Sequence, residues 1–490
     1  MRSWTWKQWV GAGFIIAGIL AMVFFFIRQE IVMGIFVAFL PLVIICTLFI
    51  LENPYWGLML LFAENYFLMG ISRYVSFGSI GMLTDLIFGI IFLTALARSA
   101  FYKDLEWKRA YNAPLFLYLV WLVYCLLEIA NPTALSIAWM SAIRSLTIYP
   151  LLVIIITPVV FYRYRDLKRI LFLWAVFTSL AVLKMQMQKT MGFDNAETYW
   201  LMTGTNFNTH ILSTGIRYFS FFTDAGNFGS NMGCAFVVFS ISAFFAKKKW
   251  LKIFFILIGL AGLYAMFVSG TRGAIAVPFA GFILYVLLSK NTKTIGLMVL
   301  VLVCAFVFFK YSTIGNDNQY IRRMRTAFDL NDPSLVVRLE NQEKLAEYMK
   351  TRPFGEGIGL SGGEAQRFES RARLTTSIAN DSWYVKIWVE TGIVGLIIYL
   401  ILQLSFIVYG IYLVLFKIKD RELKGYLSAI LCGLFGMMVS AYGNPFFGQY
   451  PTCILMAMVQ AFIFLAPVYD KEIETNNNLI NNDGRTYKLV

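Results

Sequence analysis

The sequence predicts an all-α polytopic membrane protein with about 12–14 transmembrane helices and one large, partly helical loop. The 490-residue chain is 59% hydrophobic and only 14% charged. Many of its apolar windows exceed the roughly 18 residues that are needed to cross a bilayer. Such segments are expected to be helical, because a helix satisfies its own backbone hydrogen bonds in lipid. A single long polar stretch, residues 311–385, interrupts these apolar runs.

The apolar windows place predicted spans along the whole chain. They lie near residues 9–27, 31–50, 53–71, 80–98, 112–130, 141–161, 169–187, 230–246, 251–268, 273–289, 294–310, 386–416, 424–442 and 449–468. The chain is thus divided into a first set of spans (1–310), the loop (311–385), the last spans (386–468) and a polar tail (469–490). The tail is rich in asparagine, and we expect it to be disordered.

Short basic loops predict the orientation of the spans. The segments 98–109, 163–169, 247–252, 290–293 and 417–424 are all rich in lysine and arginine. They fall on one side of the membrane, which is therefore predicted to be cytoplasmic, together with both termini. These loops also account for the net charge of +14 without a nucleic-acid partner. The loop 311–385 then lies outside.

The external loop is basic and contains one predicted helix. Asp332 can cap a helix over 333–350, whose apolar residues recur at helical spacing. Arg322, Arg325 and Arg338 are among the arginines of this loop. Because long translocated loops largely escape the charge rule, these arginines need another explanation, and an anionic ligand is the one we expect.

Two further segments place arginines at the outer ends of spans. Arg272 lies in "FVSGTRGA" (267–274), where it is either a phosphate ligand or an arginine that snorkels to lipid phosphates. Arg217, Asp224 and Asn227 lie in "GIRYFSFFTDAGNFGSNMG" (215–233). This segment is either part of the same external site or an interfacial aromatic belt with a capping aspartate.

Asp381 lies where the loop returns to the membrane. It is either a general base or a helix cap beside Ser382. His210 is the only histidine in the chain, so a site of several histidines cannot form within it, and a structural role is expected. All six cysteines lie in apolar runs, which favours packing over a disulfide or a zinc site.

Together these motifs resemble the bacterial O-antigen ligase and polymerase superfamily. The resemblance covers roughly residues 205–400. It consists of the "SGTRGA" turn (269–274), the upstream segment 217–227, Arg338 before the loop helix, "PFGEGIG" (353–359), and "ETGIVGL" (390–396). The first spans match only in character.

This resemblance implies transfer of a glycan from undecaprenyl diphosphate in the outer leaflet of the bacterial inner membrane, with no metal or other cofactor. The acceptor would be a hydroxyl of lipid A-core, of another glycan or of a protein. It further implies that Arg217 and Arg272 act on the donor diphosphate, with Arg338, Asn227, Asp224, Arg322 and Arg325 as candidates for substrate binding. Family ligases usually carry a catalytic histidine about nine residues before the "ETG", and here that position is Asp381.

Alternative functions follow from the same sequence. The chain could be a polymerase of O-antigen or exopolysaccharide instead of a ligase. A transporter or flippase of lipid-linked oligosaccharide is the alternative from another class, and it would require charged residues along a path through the spans. In this sequence the charge concentrates at the outer ends of the spans, which favours an enzyme.

Overall fold

A computed structural model describes residues 47, 49–75, 81–203, 206–212, 215–329, 331–368, 373–379 and 381–483. The predicted spans at 9–27 and 31–50 lie outside these residues, apart from three positions at the end of the second. The described residues up to Leu61 form one compact unit with Met82–Leu105. The remaining described residues form a second unit, which contains every candidate site residue.

The described residues are almost entirely helical. The helices before residue 211 are α1 (Pro54–Ile71), α2 (Gly81–Phe101), α3 (Ala113–Leu127), α4 (Ser136–Ile143), α5 (Tyr149–Val160), α6 (Tyr164–Met191), α7 (Asn195–Met202) and α8 (Asn206–His210). Then follow α9 (Ala225–Phe245), α10 (Lys249–Val268), α11 (Ala276–Leu288), α12 (Thr292–Tyr311), α13 (Gln319–Arg325), α14 (Pro333–Met349), α15 (Leu374–Ser377), α16 (Trp383–Tyr412), α17 (Arg421–Ser440) and α18 (Thr452–Asp483). Two short antiparallel strands, β1 (Ile211–Leu212) and β2 (Gly215–Ile216), form a hairpin after α8.

The all-α membrane fold is confirmed. Within the described residues, ten helical segments are long and apolar enough to cross a membrane. They are Gly81–Phe101, Ala113–Ala130, Ser136–Val160, Tyr164–Met191, Ala225–Phe245, Lys249–Val268, Thr292–Tyr311, Trp383–Lys417, Arg421–Ser440 and Thr452–Leu479. The spans predicted near 53–71 and 273–289 coincide with α1 and with the shorter apolar segment Arg272–Leu288.

Helices α9, α17 and α18 are the most buried spans of the second unit, whereas α12 is almost wholly exposed. Small residues let the central helices approach closely. A Cβ on Gly262 of α10 would lie 2.8 Å from the Met232 carbonyl of α9, and one on Gly436 of α17 would lie 2.5 Å from the Val277 carbonyl of α11. Such close approach of two helix backbones at a small residue is typical of helices packed in membranes.

The helix predicted in the external loop is present as α14 (Pro333–Met349). The predicted cap is also confirmed, because Oδ1 of Asp332 accepts a hydrogen bond from the Leu335 amide at 3.3 Å. Shorter helical segments flank α14 on both sides. They are α13, Thr326–Phe328, Gly363–Arg367 and α15.

The "PFGEGIG" segment anchors the loop to a break in α16. Gly392 interrupts the helix at φ 68°. At this break the amides of Glu356 and Gly357 donate to the carbonyls of Val389 and Glu390, at 2.9 and 3.0 Å. The two glycine motifs of the sequence therefore form one joint between the loop and a span.

Part of the polar tail is ordered, so the expectation of disorder is wrong for residues 469–483, which continue α18. The tail is held by specific contacts. The buried Tyr469 hydroxyl donates to the Phe161 carbonyl at 2.6 Å. Asp470 accepts the amide of Asp420 at 2.9 Å, and Glu472 accepts the amide of Tyr164 at 2.7 Å. These carboxylates satisfy amides at the starts of α17 and α6, which would otherwise lack partners.

We expect Gly392→Ala to destabilise the protein. An alanine at this backbone conformation is strained by about 1–3 kcal/mol, and its Cβ would lie 1.9 Å from the Pro353 carbonyl oxygen. Thermal unfolding of the protein purified in detergent measures the effect. Gly296→Ala in α12 is the control, because no atom lies within 4 Å of its Cβ and alanine favours a helix. Equal melting temperatures for both variants would contradict the glycine joint.

Candidate functional site

Arg217 is held in place by the segment that surrounds it. The hairpin β1–β2 returns the chain to α8, and the Arg217 amide donates to the His210 carbonyl at 2.8 Å. Its Nη1 donates to the Thr209 carbonyl at 2.9 Å, and its Nη2 donates to Oγ1 of Thr271 at 3.0 Å. Among the described residues, the buried Nε has no hydrogen-bond partner. Arg217 is therefore fixed by one contact on each Nη atom, and each of these atoms keeps a second N–H.

The "SGTRGA" turn packs against the first turns of α9. Oγ1 of Thr271 donates to the Ala225 carbonyl at 2.7 Å. Gly229 of α9 leaves the space that Ser269 fills, since a Cβ there would lie 2.2 Å from Oγ of Ser269. Gly270 has φ 60°, which a side chain rarely adopts. The predicted approach of the two arginine segments is thus observed in the structure.

Arg272 joins this turn to the external loop. Its Nη1 forms an ion pair with Oδ2 of Asp332 at 2.5 Å and a hydrogen bond with Oγ1 of Thr326 at 3.3 Å. Asp332 is the residue whose other oxygen caps α14. In the described part of the chain, these contacts of Arg272 involve Nη1 alone, so Nε and Nη2 remain available to an anion. A purely snorkelling arginine would not make these loop contacts.

Arg323 is a member of the site that the sequence did not distinguish from its neighbours. It extends from α13, and its Nε donates to the Gly270 carbonyl. A Cβ on Gly270 would lie 3.3 Å from both Cγ of Arg217 and Cδ of Arg323. Both side chains therefore pack against the same glycine. No local signal separates Arg323 from Arg322 or Arg325, because the contact is with a distant turn.

The charges of this cluster influence one another. The pKa of Arg323 is lowered to about 10, first by burial and then by the positive charges of Arg217 and Arg272. The pKa of Arg217 is also lowered by burial, with Asp224 opposing and Arg272 and Arg338 adding to the shift. Buried like charges that lower one another's pKa are stabilised by an anion.

Arg338 and Asp381 form the second part of the site. Nε of Arg338 lies 3.6 Å from Oδ2 of Asp381, and about a third of each side chain is exposed. Burial raises the pKa of Asp381, and Arg338 partly offsets this effect. The cap reading is not supported, because α16 has Ser382 as its N-cap residue and no capping bond from a side chain. Asp381 is therefore a carboxylate beside a guanidinium and open to solvent.

The turn after α17 was missed as part of the site. A Cβ on Gly443 would lie 3.9 Å from Nη1 of Arg338. Asn444 lies between the two arginine segments, since a Cβ on Gly273 would lie 2.8 Å from its Nδ2 and one on Gly226 would lie 3.1 Å from its Oδ1. A short polar turn between two apolar runs was the only signal in the sequence.

The side chains of Asp224 and Asn227 form hydrogen bonds within the protein. Oδ1 of Asp224 caps α9 through the amides of Gly226 and Asn227, at 2.6 and 2.9 Å. The fully buried Asn227 side chain donates to the Tyr450 carbonyl at 2.8 Å and accepts from Thr452 at 2.6 Å. These contacts fit the capping reading better than direct substrate binding.

Arg322 and Arg325 are not brought into the cluster by their observed contacts. Arg322 is exposed and donates to the Asn316 carbonyl at 3.0 Å. Arg325 donates to the side chain of Asn316 and to the Ile314 carbonyl. Both arginines brace the segment before α13, although their role toward a substrate stays a prediction.

His210 has the contacts of a structural residue. It is 2% exposed, its Nδ1 lies 2.9 Å from the Asn206 carbonyl, and its Nε2 accepts the Ala225 amide at 3.2 Å. Its pKa is lowered to about 4, chiefly by burial. Within the described residues, no group of three or more His, Cys, Asp or Glu side chains could hold a metal ion, and metal independence stays a prediction.

Comparison with known proteins identifies a family segment. Residues 253–400 match a family model described as O-antigen ligase. A stretch of 181 residues is 25% identical to the O-antigen polymerase of Salmonella muenchen, covering 37% of this chain and 44% of that protein. The matched family segment contains Arg272, Arg323, Arg338 and Asp381, whereas Arg217 precedes it and Asn444 follows it.

Proposed function

We propose that this chain, which belongs to the O-antigen ligase and polymerase superfamily, transfers a glycan from an undecaprenyl-diphosphate-linked donor to an acceptor hydroxyl. The reaction takes place at the periplasmic face of the bacterial inner membrane. The observation that carries this proposal is the arginine cluster of Arg217, Arg272 and Arg323. It contains unused guanidinium donors and lies beside an acidic group, Asp381, whose pKa is raised.

The arginine cluster suits a lipid-linked diphosphate. Guanidinium groups bind phosphate oxygens by paired hydrogen bonds. The second N–H groups of Nη1 and Nη2 of Arg217, together with Nε and Nη2 of Arg272, are the donors left by the contacts of the described residues. The arginines belong to segments that flank the outer ends of α9 and α10 in our orientation. A diphosphate at headgroup depth could reach them while its polyprenyl chain stays in the lipid.

Asp381 supplies the base of the proposed reaction. Its carboxylate takes the proton of the acceptor hydroxyl, and the hydroxyl oxygen forms a bond with the anomeric carbon of the glycan. The bond between that carbon and the phosphate oxygen breaks, and undecaprenyl diphosphate leaves with the electron pair. Contacts with Arg217 and Arg272 would strengthen as this negative charge develops, which is the condition for catalysis by electrostatic stabilisation.

The acceptor stays open between a ligase and a polymerase. The family model is described as a ligase, whereas the curated relative is named a polymerase. Surface glycans of a deletion strain separate them: unattached full-length chains indicate a ligase, and single repeats indicate a polymerase. A flippase would instead leave lipid-linked glycan on the cytoplasmic side, and this outcome would reject the enzyme.

We expect Arg217→Lys and Arg272→Lys each to reduce transfer about 10–100-fold, because lysine lacks the planar fork and a charged hydrogen bond contributes about 1.5–3 kcal/mol. Transfer from purified lipid-linked donor is measured in vesicles at equal protein level. Arg367→Lys is the matched control, since Arg367 is an exposed arginine of the same loop that lies over the Phe368 ring and is not a site candidate. Normal transfer by both lysine variants would reject the bidentate clamp.

The Asp381 proposal predicts a specific pH dependence. Activity should fall on the acid side as Asp381 is protonated, at a pH above the ordinary pKa of an aspartate, because burial raises its pKa. Arg338 lowers that pKa, so Arg338→Gln should move the acid limb of kcat/KM to higher pH. Asp381→Asn should lower turnover roughly 10²–10⁴-fold while donor binding survives. If the acid limb of the kcat/KM profile stays at the same pH in Arg338→Gln, Asp381 is excluded as the titrating group.

The orientation predicts that the loop is accessible from the periplasm. A cysteine introduced at the exposed Thr351 should react with an impermeant thiol reagent in intact spheroplasts. Ser361 is a poor position for this test, because it is 4% exposed and donates to Glu390 at 2.5 Å. The unsubstituted protein provides the blank. Labelling of Thr351→Cys only after lysis would overturn both the orientation and the periplasmic reaction.

A further inference from the structure

A second group of polar side chains adjoins the arginine cluster. We call it the tyrosine platform, and it consists of Gln186, Lys189, Tyr264 and Tyr320. The Lys189 ammonium lies 5.3 Å from the ring centre of Tyr264 and 5.0 Å from that of Tyr320. It also donates to the Tyr264 hydroxyl at 3.1 Å, which itself donates to Oε1 of Gln186 at 3.0 Å.

The platform joins three separate parts of the chain. Gln186 and Lys189 end the long helix α6, Tyr264 belongs to α10, and Tyr320 belongs to α13 in the external loop. Side chains from unrelated segments therefore converge on one place at the predicted outer surface.

The platform continues directly into the arginine cluster. Tyr320 and Arg323 are three residues apart on α13, so they lie on the same face of this helix. Arg323 bonds to Gly270, which follows the end of α10, where Tyr264 lies one turn earlier. A ligand whose diphosphate is bound by the arginines would place its next groups near these rings.

We propose that the tyrosine platform binds the first sugars of the donor glycan, next to the diphosphate. This inference rests on the proposed function and adds the location and chemistry of the glycan subsite. Tyrosine rings present an apolar face to the C–H face of a pyranose, and their hydroxyls give and accept hydrogen bonds. Lys189 and Gln186 add further bonds to sugar hydroxyls. The mixture of a few polar groups with aromatic faces is typical of small-molecule sites.

The platform is partly open, as a binding surface must be. Tyr264 is 42% exposed, and Lys189, Gln186 and Tyr320 are partly exposed. An aromatic belt at the membrane interface would also expose tyrosines. A belt residue faces lipid singly, however, whereas here the lysine is shared by rings from a span and from the loop. The mutual contacts therefore favour a site for a polar ligand.

Two ligands that differ only in the glycan test the proposal. One is undecaprenyl diphosphate, and the other is the lipid-linked glycan that accumulates in a strain lacking this protein. Binding of both is measured on the full-length protein in nanodiscs for Lys189→Met, Tyr264→Leu and Tyr320→Leu. Tyr199→Leu is the matched control, because Tyr199 is a 74% exposed tyrosine of α7 without a contact to the platform in the described structure.

We expect the platform variants to bind the glycan-bearing donor about tenfold more weakly, the loss of roughly one or two hydrogen bonds. Their affinity for bare undecaprenyl diphosphate should stay within about twofold of the original protein, as should both affinities of Tyr199→Leu. Equal weakening of both ligands would show that the platform only holds α13 in place. Unchanged binding of both would show an interfacial belt.

The same experiment separates this inference from the proposed function. If the unsubstituted protein binds neither ligand, the donor assignment itself fails. If it binds both with the same affinity, the arginine site stands and the glycan subsite is rejected. Arg217→Lys serves as the reference for loss of the diphosphate contact, since it should weaken both ligands.

Discussion

The ion pair between Arg272 and Asp332 is the contact on which the geometry of the site depends. One oxygen of the Asp332 carboxylate binds the Arg272 guanidinium just before the start of α11, and the other oxygen caps the loop helix α14. A largely buried charge needs a partner, so removing either residue would leave the other uncompensated. Because the same aspartate serves both bonds, the start of α14 is fixed relative to the "SGTRGA" turn. The ion pair therefore fixes one end of the loop helix beside the arginine cluster.

The other end of α14 is fixed by different chemistry. The "PFGEGIG" segment after the helix pairs with the broken turn at Gly392, and the buried Glu356 accepts bonds from Tyr348 and Arg373, both at 2.9 Å. Glycines are needed here because the backbones nearly touch. Anchored at both ends, α14 holds Arg338 beside Asp381. The two glycine motifs, 353–359 and 390–396, are thus supports, whereas Arg217, Arg272 and Arg338 lie in the other motifs of the resemblance.

The sequence predicted those features that depend on local patterns. Apolar length located the spans of the described residues, and the Asp332 cap with its following apolar spacing located α14, because both signals lie within a few residues. It could not choose among Arg322, Arg323 and Arg325, since only the distant Gly270 carbonyl distinguishes Arg323. It assigned Asn227 to substrate, because nothing local reveals that Tyr450 and Thr452 occupy its amide. The tail was misjudged for the same reason: Tyr469, Asp470 and Glu472 are polar in sequence but bound to distant backbone.

The arrangement of charge explains why an arginine cluster can persist without being wholly neutralised. Asp332 and Asp224 supply negative charge near Arg272 and Arg217, yet the pKa values of Arg217 and Arg323 remain lowered, first by burial and then by the neighbouring positive charges. This residual repulsion costs stability in the ligand-free protein, and it becomes favourable when an anion enters. The cluster is anchored on Gly270, on Thr271 and on Asp332, which binds both Arg272 and the Leu335 amide. These contacts keep the arginines from moving away from one another. The rigid anchors and the unsatisfied donors therefore act together, because the fold keeps positive charge in place for the diphosphate that we propose as ligand.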